Sequence, residues 1–151
     1  MTDTSPPLPE PRVNAVARRN QALLGYRVTS RDNGEVHAEW TPTEQIGNPM
    51  GFVHGGFVGV MVDELAGIAV ATALVVAGAF PTATMHVEYV RGIRLGETHS
   101  CVGRVVRIGR GLSFAEAEIR DGQGRLCSRG QCTFALVLGE DNGAALGLTR
   151  V

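Results

Sequence analysis

Two adjacent carboxylates, Asp63 and Glu64, sit inside an apolar run, "FVGVMVDELAG" at residues 57–67, that follows directly on "NPMGFVHGG" at 48–56. Burying an unpaired acid among Val60, Met61, Val62, Leu65 and Ala66 costs free energy. Such an acid either faces solvent or a salt-bridge partner, or it does chemistry. A partly desolvated carboxylate is a stronger base than a hydrated one, and it can also act as a nucleophile. The triplet His54-Gly55-Gly56 just ahead of it suggests a second component. If the glycines open a helix, its first turn offers unpaired N–H groups and partial positive charge, which suit a developing oxyanion. The plainer alternative is that they permit a turn and close packing.

The elements that must hold these groups follow from pattern. The apolar stretch reads as one long helix over about 56–77, rich in Val and Ala and stopped by Gly78 and Pro81. Asp63 and Glu64 interrupt it, so it is expected as a buried core helix and not as a membrane span. Residues 13–24, "VNAVARRNQALL", suit a short helix. "YRVTSRDNGEVHAEW" reads as two strands around an Asn-Gly turn. Four further strands are expected at 82–93, 98–109, 112–121 and 125–138, and the alternation Phe114 to Ile119 suits a half-buried antiparallel sheet. The expected fold class is α+β, an antiparallel sheet of five or six strands curled around one long helix. A Pro-rich segment at 1–12 and a Gly-rich one at 139–151 read as flexible tails around a single domain at 13–138.

Composition narrows the partners. All fourteen basic residues are arginine, and against fifteen acids they leave a net charge of -1, which gives no reason to expect nucleic acid or an anionic membrane. Cys101, Cys127 and Cys132 are odd in number and lack ligand spacing, and His37, His86 and His99 have none either, so neither a disulfide framework nor a metal is expected. The N-terminal residues lack the basic and apolar regions of a signal peptide, and the expected location is the cytoplasm.

Asn48, Gly51, His54-Gly55-Gly56 and Asp63, nine residues past the histidine, resemble the signature of hotdog-fold acyl-CoA thioesterases of the phenylacetate-degradation (PaaI-like) type. "TATMHVEYVRGIRLGE" is similar to that family's segment after the helix, so the resemblance spans about residues 35–137. It implies a homodimer joined edge to edge, often paired again into a tetramer, that hydrolyses acyl-CoA without metal or organic cofactor. Geometry points the same way: Asp63 lies about 12 Å along the helix from Gly55, too far for both to touch one carbonyl. An antiparallel second subunit closes that gap.

On this resemblance the Gly55 N–H polarises the thioester carbonyl, and Asp63 activates water or attacks the acyl carbon itself. Asn48 holds substrate or water, Thr82 orients the acid or water, and His54 braces the loop. Glu64, about 100° further round the helix, is the nearest rival to Asp63. Gly56, Phe57 and Met61 are expected beside the substrate, and Arg91, Arg94, Arg107 and Arg110 near the phosphates of coenzyme A. Asn48 also suits an Asx turn, and Thr82 an ordinary strand. Three other readings compete. A hotdog hydratase or dehydratase would place an aspartate where Pro49 stands. A non-catalytic acyl-CoA-binding module would have no use for Asp63. A cysteine-dependent acyl transferase would need an activated thiol.

Overall fold

The computed structural model of the chain describes residues 10–74 and 78–138. Helix α1 spans Glu10–Leu24, starting earlier than expected. The rest of the expected tails, 1–9 and 139–151, lies outside the described residues. Strands β1 (Tyr26–Asp32) and β2 (Glu35–Trp40) follow. Asn33 (φ 44°) and Gly34 (φ 86°) take the left-handed backbone that a two-residue hairpin turn requires. Helix α2 runs Gly55–Ala73, and its end falls before the expected stop at Gly78.

Beyond α2 come β3 (Gly78–Ala79), β4 (Thr82–Tyr89), β5 (His99–Ile108), β6 (Leu112–Arg120), β7 (Leu126–Ala135) and β8 (Val137–Leu138). Six strands form one antiparallel sheet in the order β1-β2-β5-β6-β7-β4, while β3 and β8 pair separately. β4, the first long strand after the helix, therefore ends up at an edge.

Helix α2 buries Val58, Met61, Val62, Leu65, Ala66, Ala69 and Val70 at three- and four-residue spacing. Its opposing surface is the inward row of the sheet, including Val36, Ala38, Ala117, Ile119 and Phe134. Two sheet glycines make the close approach possible. A Cβ at Gly103 would collide with the Leu65 carbonyl oxygen, and one at Gly130 would come within 2.6 Å of Val62 Cγ1. In length and hydropathy α2 would suit a bilayer, yet the sheet packs against it as a core helix.

Candidate active site

The start of α2 is shaped by the capping of its first turn. His54, in extended backbone (φ -62°, ψ 134°), is the N-cap, and its Nδ1 accepts the Gly56 N–H at 3.2 Å. The His54 carbonyl takes the N–H groups of Phe57 and Val58. Gly55 N–H is left without a partner among the described residues, a single free donor at the positive end of the helix. His54 thus has a capping role, and Gly56 is exposed beside it.

Asn48 braces the approach to this turn. Its Oδ1 accepts from the backbone N–H of Met50 (3.0 Å) and Phe52 (3.2 Å), the Asx-turn arrangement, so only its Nδ2 remains to reach a ligand. A cleft of about 170 Å³ opens beside Gly55, lined by Val58, Tyr89, Arg91 and Ser128 among others. The Tyr89 hydroxyl donates to the Gly55 carbonyl at 2.8 Å, and its ring lies 3.5 Å from where a Gly55 Cβ would stand. Tyr89 was not singled out in the sequence; as one aromatic in a strand pattern, it carries no signal of contact with a residue 34 positions earlier.

Two turns along α2, the adjacent acids face different surroundings. Thr82 Oγ1, at the first residue of β4, donates to Asp63 Oδ1 at 2.7 Å. Asp63 is half-buried, and its second oxygen has no partner among the described residues. Glu64 instead accepts the Tyr26 hydroxyl at 2.6 Å and the Asn20 amide at 3.5 Å, which ties α2 to β1 and α1. Burial, then the bond to Glu64, pushes the Tyr26 phenol well above its ordinary range. Both acids edge a cleft of about 340 Å³ that continues past Gly67, Ala71 and Phe80.

The other expected site residues fall elsewhere. Met61 is fully buried in the core and Phe57 packs partly buried against it, and neither lines the cleft at Asp63. Arg91 lines the Gly55 cleft, where its Nη1 donates to the Leu126 carbonyl at 3.0 Å. Arg94 lies over the Phe52 ring at 5.1 Å. Arg107 and Arg110 are exposed at the β5–β6 hairpin and line neither cleft. Burial raises all three thiols. Cys132, with the Asp63 charge adding to burial, is pushed up to about 11, so none is an activated nucleophile. Among the described residues no His, Cys, Asp and Glu cluster could hold a metal.

The known proteins that resemble this chain share its architecture. A conserved protein of Pseudomonas aeruginosa superposes with a TM-score of 0.71 at 28% identity, covering 80% of this chain and 99% of that one. The PaaI protein of the E. coli phenylacetic acid degradation operon gives 0.74 at 19% identity, over 84% of this chain and 91% of its own. A Streptococcus mutans protein solved with acetyl CoA gives 0.69 at 19%, over 75% and 89%. No curated protein matches the sequence. The family model described as the thioesterase superfamily matches residues 50–128, from the loop before Gly55 through β4 to β7. With six antiparallel strands wrapped on one helix, the chain belongs to the thioesterase superfamily and has a hotdog fold of the PaaI-like type.

Proposed function

We propose that the protein is an acyl-CoA thioesterase that hydrolyses an aryl- or medium-chain acyl-CoA to the free acid and coenzyme A, in sites shared by two copies of the chain. One observation carries the reading: Asp63, held by Thr82, and Gly55, whose carbonyl Tyr89 holds and whose N–H is free among the described residues, stand at opposite ends of the same edge strand, which is open on one side. Antiparallel pairing of β4 with a second β4 brings Thr82 of one copy against Tyr89 of the other. Each pairing then sets an Asp63 beside the partner copy's Gly55, and a two-fold axis produces two such sites.

In each site the thioester carbonyl oxygen lies on the Gly55 N–H, where the helix dipole favours negative charge. The unpaired oxygen of Asp63 takes a proton from water, whose oxygen attacks the carbonyl carbon. Collapse of the tetrahedral intermediate breaks the C–S bond, and the proton passes from Asp63 to the departing thiolate. Thr82 fixes the carboxylate so that the unpaired oxygen points at the water. Arg91, which lines the cleft with Gly55, is the cation that would meet a coenzyme A phosphate there. The Streptococcus mutans protein with acetyl CoA supports a coenzyme A thioester as substrate.

The test is thiol release from a panel of phenylacetyl-, hydroxybenzoyl- and straight-chain acyl-CoAs by wild type, Asp63→Asn and Glu64→Gln. Asp63→Asn keeps shape and removes the base, and should lower turnover by about 10² or more with the fold intact. Glu64→Gln keeps the Tyr26 contact and should leave turnover near wild type. A larger loss from Glu64→Gln would assign the base to the wrong acid.

A further inference from the structure

We propose that the groove running from Asp63 toward the end of α2 receives the acyl group, and that it selects an uncharged, straight acyl chain of medium length. This rests on the thioesterase reading above and names the substrate class for that site. Asp63, Gly67 and Ala71 recur every four residues and so form one stripe on α2, about 12 Å long. All three line the groove, as do Glu64 and Ile68 from the same helix. Across from the stripe lie Phe80, Pro81 and Thr82, with Phe134 at the base. Phe80 and Phe134 meet edge to face at 5.8 Å, which braces the aromatic wall.

Chemistry along the groove is one-sided. Its polar groups, Asp63, Glu64 and Thr82, collect at one end, where the carbonyl must sit for Asp63 to act. Beyond them the lining is apolar, and among the described residues no arginine or histidine contributes. Among the described residues neither a coenzyme A phosphate nor an acyl group ending in a carboxylate finds a partner there, and two carboxyl groups at the mouth repel it. Small residues keep the stripe open: Gly67 has no side chain and Ala71 only a methyl. A Cβ at Gly67 would meet Phe80 Cε2 at 3.9 Å, so a methyl fits and a longer side chain fills the space. The opening beyond Gly67 reaches Ala71, far past what an acetyl group uses.

The experiment measures kcat/KM of wild type for butyryl-, hexanoyl-, octanoyl-, phenylacetyl- and adipoyl-CoA, and the octanoyl-to-butyryl ratio in Ala71→Leu. Each buried methylene is worth about fourfold, so octanoyl should exceed butyryl by at least about 10-fold. Hexanoyl should exceed adipoyl, of equal length but ending in a carboxylate, by a similar factor. Ala71 is exposed on a helix, so leucine there is compatible with folding and should lower the octanoyl-to-butyryl ratio at least about 10-fold. An unchanged ratio in active Ala71→Leu, adipoyl turned over as well as hexanoyl, or phenylacetyl preferred to octanoyl would each overturn the proposal. If wild type hydrolyses none of them, the thioesterase reading fails by itself. The groove is then tested by calorimetric binding, where octanoyl-CoA must bind more tightly than butyryl-CoA and equal affinity would overturn it.

Discussion

At one edge of the sheet, β1 carries Arg27, Ser30, Arg31 and Asp32 exposed, bulges between Val28 and Ser30, and pairs Arg27 with Glu39 at 2.7 Å. At the other, β4 shifts register between Thr82 and Thr84, as β1 does, and from there to Tyr89 turns Met85, Val87 and Tyr89 toward the α2 side, opposite Cys132, Gly130 and Ser128. Met85 is 45% and Tyr89 60% exposed, and Val60 on the neighbouring helix face is 43% exposed. Charge and polarity along its length are what a strand needs to remain an edge. An apolar row beside an unpaired backbone is what it needs to accept another strand. The difference teaches where the proposed chemistry gathers: Thr82 and Tyr89 of the open edge strand each hold a residue of α2, Asp63 and Gly55.

The largest effect should come from closing that edge with charge. If sites are shared as proposed, Met85→Asp should leave monomers by light scattering and lower turnover by about 10² or more, because each site would lose its second half. Thr29→Asp, the same charge on exposed β1, should leave both oligomer and turnover near wild type. Equal effects from the two would erase the distinction between the edges.

Tyr89→Phe should act less strongly. It removes the hydroxyl that holds the Gly55 carbonyl and keeps the ring, so kcat should fall several-fold at unchanged KM. A change confined to melting temperature would make Tyr89 structural only.

The smallest effect belongs to the tie between α2 and the closed edge. Tyr26→Phe should cost about 1–2 kcal/mol of stability with little change in turnover. The folded state keeps the Tyr26 proton where the unfolded state gives it up. The stability this contributes is therefore full below the ordinary tyrosine pKa of about 10 and is lost as pH rises beyond it. Urea midpoints of wild type and Tyr26→Phe should converge above that pH, and parallel curves would remove Glu64 from the role of partner.

Much of the architecture was legible because it rests on short-range pattern. The Asn33-Gly34 turn, the alternation along β6 and the apolar run of α2 each carry their structure in neighbouring residues. The pairing of Thr82 with Asp63 came with the family resemblance, and the geometry puts 2.7 Å on it. What spacing does not carry is direction. Met61 lies two positions before Asp63 but about 200° round the helix, which sends it into the core. Asp63 and Glu64 look alike in the chain, and only the fold brings Tyr26 to one and Thr82 to the other. Phe80, Gly67 and Tyr89 went unnoticed because glycines and aromatics in apolar surroundings suit a core equally well.

The central claim, that each site is built from two copies, is tested by mixing two inactive chains. Proline is well suited to the first position of a helix, and His54 already holds the extended backbone that precedes it, so Gly55→Pro deletes the free N–H with little strain. Refolding Gly55→Pro with Asp63→Asn in equal amounts should make half the dimers mixed, each with one intact site, and restore about a quarter of wild-type turnover. Activity no higher than that of the two parents, with mixed dimers demonstrated by mass spectrometry, would contradict the shared site.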